Sequence, residues 1–284
     1  PRHIRTRGRL YIHTDARGLS TEAAQYTHQV HSVLPPSHSG DHWENPSASL
    51  QAAMRKYCMM LNVRNKVRHV GAAVTSMFMQ TGPAIEILLS DSGSTDGTVA
   101  VLDDMAARYE GPHSVRRLSC PCAPSPGMPG LNDHINWCMT QTEADVVMQL
   151  SGDDYDLAQR SQLTQEAFEA HNPSMVLGGM YYVDEAMKYL GETPWPGEDG
   201  WCKVEEMYPK FVGGSTCQAW TREFWNKVGP LTGVGSPDVV LPFLACLDKG
   251  AYYLHTRMHC YRKVIYEQNT GLEGVYYSFP EGDP

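Results

Sequence analysis

Short apolar runs alternate with helical segments through the first half of this 284-residue chain, and this alternation constrains the fold more than any other feature. The predicted strands are residues 57–62, 85–89, 115–118 and 145–150. The segments between them carry apolar residues at helical spacing and predict helices over 66–80, 98–109 and 131–142. Strands that alternate with helices in this way are typical of a parallel sheet with helices on both faces.

The rest of the chain has a weaker pattern. It predicts helices over 158–171, 222–228 and 239–248, and strands over 175–183 and 252–259. Residues 184–210 are interpreted as one long loop, which in a compact domain is usually a lid or a binding loop. The first 56 residues show no clear period and are interpreted as an N-terminal extension, with a strand near 9–12 and a helix near 21–30.

Composition narrows the class of protein. The net charge of -9, from 23 basic and 32 acidic residues, argues against broad nonspecific binding to nucleic acid. No run of 18 apolar residues is present, so we expect no membrane span. The 8 cysteines are scattered and mostly lie in apolar surroundings, which favours reduced thiols and a cytoplasmic location. Cys120 and Cys122 are too close in sequence for the usual zinc spacing.

Acidic residues stand at three positions where a ligand could bind: Asp91, the pair Asp153 and Asp154, and Asp238. Asp91 follows a predicted buried strand and could accept a hydrogen bond from a base or a ribose. Asp153 and Asp154 follow another strand, and adjacent carboxylates are costly unless a cation neutralises them. Oxygen ligands of this kind suit Mg²⁺ or Mn²⁺. In open α/β sheets, ligands bind just outside such strand ends.

Each acidic position also has a purely structural interpretation. Asp91 could stabilise the turn that follows its strand, and residues 94–96 are of types that cap helices well. The pair Asp153 and Asp154 could belong to a solvated loop. Asp238 opens a predicted helix and could be a first-turn acid stabilised by the helix dipole.

The order and spacing of these segments resemble a known family. The matching stretches are 62–65, 85–98, 130–136, 150–154 with Arg160, 212–214, 227–229, 238–250 and 261–262. Together they resemble the inverting nucleotide-sugar glycosyltransferases of family two, over about residues 57–265. The resemblance implies a single Rossmann-like α/β domain of the GT-A fold, with a mostly parallel central sheet and helices on both faces. It also divides that domain into a nucleotide-sugar-binding half, 57–160, and an acceptor-binding half, 161–284.

The resemblance further implies the role of each site residue. Asp91 would grip the donor's nucleobase, usually uracil, beside Asn62 and Asn65. Asp153 would contact the ribose, Asp154 would hold Mn²⁺ or Mg²⁺, and Asp238 would be the catalytic base. The donor would then be a nucleotide-diphosphate sugar, with a UDP-sugar expected.

Four residues depart from the family pattern. Ser92 and Ser151 stand where acids are common, Pro237 replaces a frequent Glu, and Ile135 stands where a basic residue is frequent. His255 and His259 are four apart on a predicted strand, so they would share a face, and one of them could complete the metal shell.

Two other functions stay open at this stage. One is a nucleotidyltransferase that makes a nucleotide sugar, although residues 57–66 lack the glycine-rich phosphate loop typical of that class. The other is a binding module without turnover. The oligomeric state is not predicted, and the acceptor is open among glycan, lipid, protein, small molecule and modified nucleic acid. Modified nucleic acid stays among the possible acceptors because four of the first nine residues are arginines: Arg2, Arg5, Arg7 and Arg9.

Overall fold

A computed structural model describes residues 55–122, 130–193, 198–204, 217–232 and 237–263. The strand and helix predicted inside the N-terminal extension lie outside these residues. So does the 212–214 stretch of the family resemblance. The division into an extension and two halves therefore stays a prediction.

The described residues form one ten-stranded sheet. The strands are β1 Tyr57–Val63, β2 Glu86–Asp91, β3 Ser114–Ser119, β4 Val146–Ser151, β5 Tyr155–Asp156, β6 Met175–Val183, β7 Tyr189–Glu192, β8 Gly200–Trp201, β9 Gln218–Thr221 and β10 Ala251–Arg262. Their order across the sheet is β3-β2-β1-β4-β9-β6-β10-β5, with β7 beside β6 and β8 beside β10.

Six helices are described. They are α1 Val70–Phe78, α2 Thr98–Ala107, α3 Leu131–Met139, α4 Arg160–His171, α5 Arg222–Val228 and α6 Pro237–Leu247. Helix α1 begins four residues later than predicted, because residues 67–69 form a turn in which the Lys66 carbonyl accepts from the amides of His69 and Val70. No described helix is long and apolar enough to cross a bilayer, which takes about 20 residues.

Alternation along the central strands builds two cores. On β1, Met59 and Leu61 pack on one face, while Cys58 and Met60 pack on the other. Helices α1, α2 and α4 cover the first face, and α3, α5 and α6 cover the second. The predicted helices on both faces are confirmed, and the near-continuous apolar runs are explained by burial from both sides.

The sheet is parallel in its first half. Strands β3, β2, β1 and β4 pair in parallel, whereas β9 lies antiparallel between β4 and β6. Strands β6 and β10 are again parallel, and β5, β7 and β8 are antiparallel edge pieces. The α/β class is confirmed. The sheet is less parallel than predicted, because β9 and the edge strands β5, β7 and β8 pair with antiparallel neighbours.

Two predictions about the second half need correction. The interval 184–210 is not one structureless loop, because it contains β7 and β8. In addition, β10 shifts register between Leu254, Arg257 and His259. A bulge of this kind re-aims side chains. His255 and His259 therefore do not share an environment: His255 is half-buried beside Arg257, and His259 is fully buried.

Candidate active site

The carboxyl ends of β1, β2 and β4 meet at one edge of the sheet. Asn62 pairs in register with Ser90 on one side and Ser151 on the other, so the segments that follow these strands are neighbours. Between them lies a cavity of about 340 Å³, within the usual range for a small-molecule site. Its lining residues are Asn62, Val63, Arg64, Lys66, Ser92, Cys122, Gly130, Leu131, His134, Ser151, Gly152 and Asp153.

The segment after β2 is a hydrogen-bonded turn built on Asp91. Asp91 is buried, and its Oδ2 accepts from the amides of Gly93 and Ser94 at 2.9 and 3.0 Å. The Ser94 hydroxyl donates to Oδ1. The predicted structural role of residues 94–96 is confirmed, since Asp96 accepts from the Thr98 amide at 3.0 Å. Asp91 is not among the residues that line the cavity, although its Oδ1 has a second lone pair that a ligand could use.

The two predicted asparagines have different surroundings. Asn62 lines the cavity, and its Nδ2 lies 3.5 Å from Cys138 Sγ. Its Oδ1 is buried and has no hydrogen-bond partner among the described residues. Asn65 does not line the cavity; its side-chain oxygen accepts from the Thr95 amide at 2.8 Å and braces the two loops. A ligand donor could therefore pair with Asn62, whereas Asn65 is occupied with the scaffold.

His134 forms part of the cavity wall. It lies on α3, is almost fully buried, and its Nε2 is 2.7 Å from the Ser90 hydroxyl. Burial lowers the pKa of His134 to about 4, and the nearby Asp91 charge opposes this only in part. The imidazole is therefore neutral at pH 7. Sequence reasoning missed His134, because a single His in an amphipathic helix carries no signal of its own.

The low pKa of His134 predicts a loss of stability in mild acid. The unfolded chain binds the proton below pH 6.5, whereas the folded chain does not until about pH 4, so the free energy of unfolding falls as pH falls between these values. At about 1.4 kcal/mol per unit, the contribution lost between pH 7 and pH 5 is about 2 kcal/mol. Urea unfolding at both pH values checks this, and His134→Gln should lose that part of the pH dependence. An unchanged pH dependence in the variant would contradict the assignment.

Asp153 faces the cavity and is paired with Lys66. The Lys66 Nζ lies 2.6 Å from Asp153 Oδ2, and the two side chains are 28% and 19% exposed. Gly152 makes this approach possible, because a Cβ there would lie 2.3 Å from a methyl group of Val63. Lys66 was not among the predicted site residues, since nothing in the sequence showed that its loop lies against the β4 loop.

Asp154 points away from the cavity into a buried polar network. Its Oδ1 accepts from the Arg262 amide at 2.8 Å, and its Oδ2 lies 3.4 Å from His259 Nε2. His259 Nδ1 is 2.7 Å from Asp156, which receives two hydrogen bonds from Arg160. Burial alone would lower the pKa of His259, but the hydrogen bonds to Asp154 and Asp156 outweigh it and raise the pKa. With His259 protonated, two carboxylates face two cations.

Arg262 connects the end of β10 to the acidic segment. Its Nε donates to the Asp153 carbonyl at 2.8 Å, and its guanidinium also donates to the Glu185 carbonyl at 2.7 Å. Its backbone amide is the donor to Asp154. These contacts fix the loop that carries Asp153.

Asp238 lies in the first turn of α6. Gln218 Nε2 on β9 donates to the Asp238 carbonyl at 3.0 Å and anchors the start of the helix to the sheet. Burial, followed by the charges of Asp154, Asp153 and Asp238, raises the pKa of Tyr261 on β10 to about 12. Asp238 is not among the residues that line the cavity.

The cavity provides limited support for a metal ion. Among the described residues no group of three or more His, Cys, Asp or Glu side chains could hold an ion. However, Mg²⁺ at nucleotide sites is usually held by one or two carboxylates together with substrate phosphates. Asp153 meets that requirement, whereas Asp154 has both oxygens directed at protein groups. The geometry favours Asp153 over the predicted Asp154 as the ligand.

One cysteine prediction is wrong. Cys120 and Cys122 form a disulfide beside the cavity, whereas both had been expected to be reduced. The other six cysteines form no disulfide, as predicted, and five of them are buried.

Comparison with known proteins places the chain in a family. The family model for glycosyl transferase family 2 matches residues 61–211. The Bacillus subtilis (strain 168) protein EpsE, whose name assigns it to the glycosyltransferases, is 24% identical over 147 residues. That match covers 50% of this chain and 50% of EpsE, so the chain spans about half the length of the curated relative.

Solved structures share the fold. Staphylococcus aureus TarS 1–349 in complex with UDP-GlcNAc is 14% identical with a TM-score of 0.58, over 73% of this chain and 58% of that chain. The mannosyltransferase PcManGT of Pyrobaculum calidifontis, in complex with GDP-Man and Mn²⁺, is 11% identical with a TM-score of 0.55, over 87% and 65%. At such identities the likeness concerns the fold, which is the predicted GT-A fold. The family model covers more than half of the chain, and the chain belongs to glycosyl transferase family 2.

Proposed function

We propose that the chain transfers a sugar from a nucleotide-diphosphate donor to an acceptor hydroxyl, with inversion at the anomeric carbon. The observation that carries the proposal is the cavity at the ends of β1, β2 and β4, which Asn62, Lys66 and Asp153 line together. The family membership and the UDP-GlcNAc and GDP-Man named for two structural neighbours support a nucleotide-sugar donor.

The donor's nucleoside would enter the cavity at the ends of β1 and β2. Asn62 Oδ1 is a buried acceptor that a base N–H could satisfy, and Asp91 Oδ1 can accept a further hydrogen bond. An unsatisfied buried acceptor costs about 1–3 kcal/mol, so a ligand that pairs with it gains affinity. This chemistry agrees with the expected uracil base.

The diphosphate would lie beside Lys66, Arg64 and Asp153, which are the charged side chains among the described lining residues. Asp153 would hold Mn²⁺ or Mg²⁺ together with the phosphates. Such an ion, when bound, neutralises the negative charge that develops on the departing diphosphate.

Asp238 would be the general base. The acceptor hydroxyl attacks the anomeric carbon, the bond to the diphosphate breaks on the opposite face, and the hydroxyl proton passes to Asp238. One carboxylate is enough for this single displacement, and attack opposite the leaving group inverts the centre.

A screen of nucleotide sugars tests the donor. With Mn²⁺ present, a UDP-sugar at about 100 times its dissociation constant should stabilise the fold by about 2.7 kcal/mol, or about 5–10 °C in Tm. Asp153→Asn should lose the Mn²⁺-dependent part, and Asp154→Asn serves as the comparison for the adjacent acid. The absence of any nucleotide-sugar-dependent shift at millimolar concentrations would contradict the proposed function.

A further inference from the structure

The segments that carry Lys66 and Asp153 are both fixed by contacts with the rest of the fold. Lys66 follows β1 and Asp153 follows β4, and these strands are parallel neighbours. The Lys66 amide donates to the Thr98 hydroxyl at 2.9 Å, so the base of its side chain is fixed. Gly152 allows the β4 loop to lie against Val63, since a Cβ there would lie 2.3 Å from a Val63 methyl group. The ammonium is thereby directed at one carboxylate oxygen.

The Lys66 ammonium occupies the position on Asp153 Oδ2 that a divalent ion would use. The separation of 2.6 Å is that of a direct charge-assisted hydrogen bond. An ion that binds Asp153 through Oδ2, alone or together with Oδ1, must therefore displace Lys66. The displaced side chain is long and flexible, and the anionic group nearest to it would be the diphosphate of a bound donor.

Few basic side chains of the cavity are available to bind a diphosphate. Arg64 and Lys66 are the basic residues among the described lining side chains. Ile135 on α3 is fully buried in the apolar core and contributes no charge to the cavity. The Arg262 guanidinium donates to backbone carbonyls of 153 and 185.

We propose that Lys66 holds the metal position on Asp153 in the free protein and moves onto the donor's diphosphate when ion and donor bind together. This inference rests on the proposed function, because it assumes that a diphosphate binds in the cavity. Two consequences follow. The ion alone binds weakly, since it competes with a tethered ammonium. Ion and nucleotide together bind much more tightly than either alone, since the nucleotide provides a new partner for the displaced Lys66.

Lys66→Met separates the two roles. Mn²⁺ alone should bind the variant about tenfold more tightly than the parent, because the competing charge is gone. UDP or GDP with Mn²⁺, whichever binds the parent better, should bind the variant about 10- to 100-fold more weakly, because a charge-assisted hydrogen bond to phosphate is lost. Mn²⁺ binding is read from the electron paramagnetic resonance signal of free Mn²⁺, and nucleotide binding from titration calorimetry.

Matched variants make the result specific. Lys66→Arg keeps a cation next to Asp153 and should leave Mn²⁺ binding near the parental value. Lys249→Met removes a partly exposed ion pair with Glu223, away from the cavity, and should change neither quantity. Adding Asp153→Asn to Lys66→Met should abolish the gain in Mn²⁺ affinity, which tests that the ion binds at this carboxylate.

Each outcome decides one statement. Unchanged Mn²⁺ affinity in a folded Lys66→Met variant would show that Lys66 does not compete for the metal position. Unchanged nucleotide affinity would show that it does not reach the diphosphate, and either result overturns the inference. If neither UDP nor GDP binds the parent in Mn²⁺, the proposed function fails instead, and the assay with Mn²⁺ alone still tests the competition.

Discussion

Replacing Asp238 by Asn should lower the turnover rate about 10²- to 10⁴-fold, the range expected for loss of a general base. Asn has nearly the same shape but cannot accept the acceptor's proton. If Asp238 only stabilised the start of α6, Asn should serve almost as well there, and activity would survive. The substitution therefore separates the catalytic from the structural interpretation.

The measurement is sugar transfer to an acceptor found by screening, or slow donor hydrolysis if none is found. Donor affinity and Tm should barely change, because the proposed base contacts neither the nucleobase nor the diphosphate. Asp199→Asn is the matched control: the Asp199 carboxylate accepts from the His255 amide at 2.7 Å, and Asn retains an acceptor oxygen. If Asp238→Asn is as active as the parent while Asp199→Asn is not, the base lies on the 184–210 segment.

Replacing Arg160 by Met should lower the free energy of unfolding by about 3–5 kcal/mol, which is the usual cost of removing one partner from a buried ion pair. Arg160 is 1% exposed, donates twice to Asp156 at 2.7 Å, and also donates to the carbonyls of Gln149 and Gln218. Met fills much of the same volume, but it leaves Asp156 buried with His259 as its remaining charged partner.

Urea unfolding at neutral pH measures this effect. Arg108→Met is the matched control, because Arg108 forms an ion pair with Asp104 at the same four-residue spacing, with side chains 78% and 52% exposed. Such a surface pair contributes about 0.3–0.5 kcal/mol. Similar losses in the two variants would contradict the view that the buried network stabilises the fold.

Much of the fold could be predicted because burial from both sides produces a strong pattern. Residues 57–63, 86–91 and 175–183 are mostly apolar and short, and the structure places strands there within one or two residues of the predicted bounds. Strands β7 and β8 were missed because they are edge pieces of four and two residues. Residues on such edges are mostly exposed and show little hydrophobic period.

The site was harder to predict, because adjacency in sequence does not reveal direction. Asp153 and Asp154 are neighbours, yet one lines the cavity and the other is buried against Arg262 and His259. Their order relative to the cavity depends on contacts with residues more than 100 positions later in the chain. The same holds for Lys66, whose partner lies 87 residues away. Motif position predicted which strand ends lie together, and tertiary contacts decide which side chain faces the cavity.

The link from Arg262 to the acidic segment bears on how the protein can be made and folded. The Arg262 amide and the Asp154 carboxylate are 108 residues apart in sequence, and β10 also pairs with β5 directly after the acidic residues. During synthesis, the segment with Asp153 therefore waits for the last described strand before its contacts are complete. Such long-range pairing is slow to form. A fragment that ends near residue 211, where the family match stops, would lack His259 and Arg262, which are the partners of Asp154. Asp154 would then be exposed to water, and we expect the fragment to fold less well than the longer chain.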